Sequence, residues 1–399
     1  MTATPSSLAL LHELIAFPSV SRSPNIALLE RIQALLNQAG IASSLVCDPT
    51  DPGRANLFAS TGPMDAPGIV LSGHTDVVPV QGQPWTSPPF EATQRDGRIY
   101  GRGSADMKGF VACAVHTMLQ AADKPLQRPL HLALSYDEEI GCVGVRHLLQ
   151  ALRQRNLPAP LLCLVGEPTL MQIGLGHKGK SAYRARCCGQ EGHSGLAPRF
   201  ANAIHAAADL VSAIREVQSD LATTGPREAG YAIPYTTIHA GRIEGGKALN
   251  IVPGECVLDF EIRFVTDDHP DDVLACVREK TLVRMQQAAQ LQGCTTAPAA
   301  PAIEQLVAYP GLRTASNAPG VQLLARCLPA HTPHTKVAFG TEGGLFQQLW
   351  DKTPVVVCGP GSIEVAHKAD EYIELAQLDA CDAMLAQLTD SLCLREGAG

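Results

Sequence analysis

Four short apolar runs, each breaking off at a polar cluster, constrain this chain more than any other feature of it. The first lies in GIVLSGHTDVVP at 68–79, where Ile69, Val70 and Leu71 lead to His74 and Asp76. LHLALSY at 130–136 runs into Asp137, Glu138 and Glu139, and LLCLV at 161–165 into Gly166, Glu167 and Pro168. TPVVVC at 353–358 leads into a polar loop that contains His367. A continuous apolar run of this length reads as a strand covered on both faces, the strand of a parallel sheet between helices. Helical periodicity at 6–17, 26–39, after Phe110, after Gly141 and at 375–392 supplies the covering layers. The fold class predicted is α/β: a catalytic domain with a mixed, largely parallel sheet sandwiched by helices. Ligands bind such sheets outside the carboxyl ends of the strands, and all four runs carry their polar residues there.

From Lys180 the pattern changes to alternation: SAYRARCC, a helix at 201–217, TTIHAGRIEGG, CVLDFEIRFV, and a helix at 270–291. This β-α-β-β-α order predicts an inserted α+β, ferredoxin-like domain over 179–290, with two helices on one face of a small antiparallel sheet. The catalytic domain is then discontinuous, 1–178 and 291–399, and resumes after an Ala/Pro linker at 295–301. Two cores are what 399 residues lead one to expect.

Composition narrows the partners. A net charge of −8 offers no basic footprint for nucleic acid or for an anionic membrane. No apolar run approaches a membrane span and no basic segment precedes the first apolar residues, so a cytoplasmic protein is expected. Thirteen scattered cysteines, an odd number with Cys187-Cys188 as the only close pair, argue for reduced thiols. Without a CxxC pair, a bound metal must be held by histidine and carboxylate.

His74, Asp106, Glu139, Glu167 and His367 are the candidates, Asp106 lying in GRGSADMKGF at 101–110 where a glycine-rich loop becomes a helix. Two histidines and three carboxylates suit Zn²⁺, or Co²⁺ or Mn²⁺, better than Ca²⁺ or Mg²⁺. Their number suits two ions, one carboxylate bridging and each ion taking one histidine and one further carboxylate. Such a pair polarises a carbonyl and acidifies water. Glu138, beside a ligand but not needed as one, is the candidate general base. Asp76 is placed to accept the second ring N–H of His74 and so fix its tautomer. Singly these residues have ordinary readings, a histidine at a strand end as a loop residue and DEE as a solvated turn. Convergence of separate strand ends on one sheet edge favours the metal site.

Six segments in order, HTDVVP at 74–79, GRGSADMKGF at 101–110, DEEIG at 137–141, GEPT at 166–169, GHSGLAP at 192–198 and AHKADEY at 366–372, resemble the M20 family of dinuclear zinc amidohydrolases. Within it, GHKG at 176–179, GTEGG at 340–344 and ALNIVPGECVLDFEIR at 248–263 are most similar to the acetylornithine deacetylases. The resemblance implies that Asp106 bridges two metals, with His74 and Glu167 on one, Glu139 and His367 on the other, and Glu138 as base. It implies that the insert is a dimerisation lid and that His193 reaches the partner subunit's site to stabilise an oxyanion. Asn250 and Arg263 are candidates for the substrate's α-carboxylate, and Glu342 for a distal ammonium.

The expected activity is metal-dependent hydrolysis of an Nα-acyl amino acid by a homodimer, foremost deacetylation of N2-acetyl-L-ornithine to ornithine and acetate in arginine biosynthesis. Succinyl-diaminopimelate, acetylcitrulline, another N-acyl amino acid or a dipeptide would use the same chemistry. A one-metal carboxypeptidase differs in stoichiometry. A non-catalytic metal- or ligand-binding protein of the same fold is the alternative from another class, and an intact Glu138 speaks against it.

Overall fold

The structure is a computed structural model that describes residues 4–292 and 299–393. Two compact units divide it: Met1–His177 with Leu312–Gly399, and Lys178–Gly311. Residues 295–298 of the expected linker lie outside the described residues.

The larger unit is built on an eight-stranded sheet, and the four predicted apolar runs are its centre. Leu130–Ser135, Ile69–His74, Leu162–Pro168 and Val355–Gly359 lie side by side in that order, all parallel. Every residue in them is buried, which is why the runs carry no alternation. The third differs from expectation in its end: pairing continues through Gly166 and Glu167 to Pro168, so Glu167 is a strand residue rather than part of a turn. An antiparallel hairpin, Ala42–Cys47 and Ala55–Thr61, adds one edge that the sequence pattern did not announce, and short strands at Ile173–Gly174 and His334–Thr335 complete the other.

Neighbouring side chains on a strand point to opposite faces, so two adjacent residues identify both covering layers. A Cβ on Gly73 would meet Met107 and Val111, on the side of the helix Gly109–Ala121, which packs with Ser7–Ile15 and Leu375–Ser391. Ser72 instead reaches Glu342, at the start of the helix Gly343–Leu349, which packs with Val145–Gln154. Gly166 is required by contact: a Cβ there would stand 1.9 Å from the Phe110 ring. Its absence lets the helix after Asp106 settle on the strand that carries Glu167.

His131 sits within this core, 3 % exposed, stacked on Phe58 with its Nδ1 2.7 Å from Ser60 Oγ. Burial pushes its pKa down to about 4. The folded protein therefore refuses a proton that the unfolded chain accepts near pH 6.5, and stability is lost as the pH falls from there toward 4. His131→Gln should remove about 2 kcal/mol of the stability difference between pH 7.5 and pH 5. Urea unfolding at the two pH values checks this, and an unchanged difference would assign the acid sensitivity elsewhere.

The smaller unit is a four-stranded antiparallel sheet in the order Thr237–Gly245, Glu255–Phe264, Gly179–Cys188, Ala302–Tyr309. Burial alternates along its two central strands, and Tyr183, Ala185, Leu258, Phe260 and Ile262 form a core with Leu210, Ile214 and Val277 of the helices Ala203–Thr224 and Pro270–Gln292. The order is that of the ferredoxin-like fold. Its fourth strand is the one the sequence reading lacked. Ala302–Tyr309 is largely exposed at the sheet edge, and Glu304-Gln305 interrupt its apolar residues, yet it pairs with Gly179–Cys188, so this unit extends to Gly311 rather than stopping at 290.

Candidate metal centre

Parallel pairing brings His74, the Glu138-Glu139 turn and Glu167 to one sheet edge. Asp106 arrives from an irregular turn, Ser104–Lys108, in which it is extended (φ −122°, ψ 93°), and the regular helix begins at Gly109. His367 arrives from the loop after Val355–Gly359 and holds a left-handed φ of 61°. The Asp106 carboxylate lies between the two imidazoles: Oδ1 is 3.0 Å from His74 Nε2, and Oδ2 is 3.2 Å from His367 Nε2. Glu167 Oε1 is 3.8 Å from His74 Nε2, and Glu139 Oε2 is 3.0 Å from His367 Nε2. Two groups result, His74 with Asp106 and Glu167, and Asp106 with Glu139 and His367, and within each the donor atoms all lie within 4.8 Å of one another. Asp106 belongs to both.

A second layer of bonds fixes these donors. His74 Nδ1 is 2.8 Å from the main-chain oxygen of Asp76, which leaves Nε2 facing the group. The Asp76 carboxylate, expected to make that bond, is 3.6 Å away. It accepts instead from Ser21 Oγ at 2.7 Å and from the main-chain N–H of Glu138 and Glu139 at 3.0 and 3.3 Å. Asp76 thus orients the histidine with its backbone and the acidic turn with its side chain. Glu371 does the same for Asp106. Fully buried, it accepts from the N–H groups of Gly103, Ala105 and Asp106 at 2.9 to 3.0 Å and pairs with Arg102 at 2.7 Å. Sequence reading assigned neither Glu371 nor Arg102 a role, although both lie inside the motifs it singled out.

Four carboxylates meet two imidazoles here, so negative charge is buried in excess. Burial lifts Glu138 and Glu167 well above the usual carboxylate range, with the charges of Glu139 and of Asp106, respectively, acting in the same direction. Burial and Asp106 together push Glu139 up to about 7. Burial also opposes ionisation of Asp106, but its bonds to His367 and His74 hold it well below that range. Hydrogen bonds to Asp106 and Glu139 push His367 up to about 10. Divalent cations would offset this excess, and one imidazole nitrogen with two carboxylates per group is a donor set that fits them. Glu138, 9 % exposed, is in neither group.

Neither Glu342 nor His193 is a member of these groups. Glu342 is 1 % exposed and accepts from Ser72 Oγ at 3.3 Å beneath the sheet edge, with burial pushing its pKa up to about 7. Arg263 is engaged within the smaller unit, with Glu261 at 2.9 Å and the Tyr309 hydroxyl at 3.0 Å. His193 and Asn250 do come together: Gly192–His193 pairs with Ile251–Val252, Ser194 N–H donates to the Asn250 carbonyl at 3.1 Å, and both side chains are exposed.

A largely parallel sheet that gathers two overlapping His-carboxylate groups beside a buried glutamate defines a metallohydrolase. The sequence pattern of Peptidase family M20/M25/M40 matches residues 70–391, and the chain belongs to that family, whose members are hydrolases. It is 34 % identical over 399 residues to the acetylornithine deacetylase of Myxococcus xanthus, covering 98 % of both chains. Its fold is similar to that of the M20 family metallo-carboxypeptidase Sso-CP2 from Sulfolobus solfataricus, with a TM-score of 0.76 at 19 % identity over 98 % of this chain and 99 % of that one. It is also similar to the Bacillus subtilis protein YXEP, described as a dinuclear metal-binding peptidase of the M20 family, with a TM-score of 0.68 at 16 % identity over 96 % of both. No helix among the described residues is long and apolar enough to cross a membrane.

Proposed function

We propose that this hydrolase removes the acetyl group from an Nα-acetyl amino acid, with N2-acetyl-L-ornithine as its preferred substrate, using two zinc ions held by His74, Asp106 and Glu167 and by Asp106, Glu139 and His367. The observation that carries the reading is the Asp106 carboxylate, whose two oxygens face two different histidines, each with a further carboxylate beside it. The substrate rests on the relative from Myxococcus xanthus.

When bound, such ions supply Lewis-acid polarisation of the amide carbonyl and positive charge for the oxyanion that develops from it. The chain supplies the proton transfers. Glu138 takes a proton from the attacking water and delivers it to the departing amine nitrogen. A buried carboxyl whose affinity for protons is raised suits both halves of that task. Asp76 keeps the base and the His74 ring in place through the bonds described above.

The active form is a cytoplasmic homodimer joined through the smaller unit, in which His193 of one protomer donates to the oxyanion at its partner's site. What supports this is an exposed ribbon bearing His193 and Asn250, flanked by Leu249 at 101 % and Ile251 at 36 % exposure, and an edge strand that exposes Ile243. Every described cysteine is unpaired, as a reducing compartment requires.

A panel of Nα-acetyl ornithine, citrulline, methionine and glutamate, assayed with chelated protein and after reloading with zinc or cobalt, tests the reading. Activity restored by metal and highest on acetylornithine is the expected result. Metal-dependent activity with another preference would keep the chemistry and replace the substrate. Inactivity on all four amides and on dipeptides would contradict the proposal.

A further inference from the structure

The turn that carries Glu138 contains a cysteine in an unusual backbone state. Cys142 holds a φ of 54°, directly after Gly141 at 116°. Left-handed backbone is strained for a residue with a Cβ, and glycine is the residue that adopts it freely. The turn itself does not need the side chain. Gly141 and Cys142 N–H both donate to the Glu138 carbonyl at 2.8 Å, and Val143 N–H donates to that of Asp137 at 3.1 Å, so main-chain bonds close it. What the side chain adds is one directed contact: the buried thiol, four residues after Glu138, lies with Sγ 3.2 Å from Glu138 Oε1.

We propose that Cys142 is a positioning residue for the general base, its S–H donating to Oε1 of Glu138 so that the carboxylate is held in one orientation and Oε2 remains available for the reacting proton. A thiol is a weak donor, but inside a buried site even a weak directed bond selects among side-chain rotamers. The ordinary alternative is a cysteine that only fills space as a small apolar residue. The inference rests on the reading of Glu138 as the base.

Four variants of the zinc-loaded enzyme separate these cases, assayed on the best substrate of the panel. Cys142→Ala removes the donor and leaves the strained backbone. Cys142→Gly removes the donor and relieves the strain, and Cys142→Ser keeps a donor. Glu138→Gln reports on the parent reading. Loss of positioning should lower kcat about tenfold in the alanine and glycine variants. KM should stay within about twofold and metal content at the wild-type value, since the contact acts on the proton transfer rather than on binding. Serine should recover kcat to within about threefold, and glycine should melt no lower than alanine while sharing its defect. Wild-type kcat in both alanine and glycine variants, or a kcat that follows melting temperature instead of the presence of a donor, overturns the inference. If those variants are unimpaired while Glu138→Gln is inactive, the inference alone fails; if Glu138→Gln is active, the parent reading fails with it.

Discussion

Glu138→Gln should lower kcat roughly 10³-fold while the protein still binds its metals. The change is nearly isosteric and leaves the main-chain N–H of residue 138 donating to Asp76 at 3.0 Å. Neither group of metal donors includes the Glu138 carboxylate, so loading should survive. What disappears is the ability to accept a proton from water and pass it on, because an amide neither takes up nor releases one in this range. KM should change little, since the loss falls on the transition state. Steady-state kinetics together with metal analysis of the same sample check this. A variant within tenfold of wild type would require another base, and one that had lost metal would mean that Glu138 is a ligand after all.

Asp106→Asn should be as severe for a different reason. One oxygen of this carboxylate faces His74 and the other His367, and an asparagine can present only one oxygen. At least one ion should be lost, and activity should fall more than about 10³-fold because carbonyl polarisation and charge stabilisation depend on the pair. The backbone around the substitution should stay in place, since Glu371 holds the N–H groups of residues 103, 105 and 106 whatever the side chain at 106. Circular dichroism unchanged from the wild-type apoprotein, with metal content below two per chain, is the expected combination. Full loading of the variant would show that Asp106 does not bridge.

The central strands were legible because burial on both faces strongly favours apolar residues, and the polar break after each run marks where its covering ends. Their shared direction follows from the helices between them, and it places His74, Glu139, Glu167 and the loop of His367 at one edge. What was not legible depends on contacts far apart in sequence or on weak local signal. The hairpin Ala42–Cys47 and Ala55–Thr61 begins with a half-exposed strand, ASSLVC, whose small and polar residues give neither a continuous run nor an alternation. The edge strand Ala302–Tyr309, AIEQLVAY, is mostly apolar, but the adjacent Glu304 and Gln305 break both a continuous run and an alternation. Glu371 is 265 residues from Asp106, and nothing local distinguishes its buried carboxylate from the solvated acids around it. Glu342 and Arg263 illustrate the converse. A strand end and a turn mark them as candidate substrate contacts, while the partners they take, Ser72 for Glu342 and Glu261 and Tyr309 for Arg263, are set by the fold and not by that local pattern. Asp76 lies two residues from His74, but which of its oxygens faces the ring depends on backbone geometry that a sequence does not carry.

Titrating chelated protein with zinc, while following heat and acetylornithine hydrolysis together, decides whether Asp106 joins two ions in one hydrolytic site. Two equivalents per chain are expected, with activity requiring the Asp106 carboxylate and the second equivalent lost in Asp106→Asn. A single equivalent that restores full activity, with no second binding event, would contradict it.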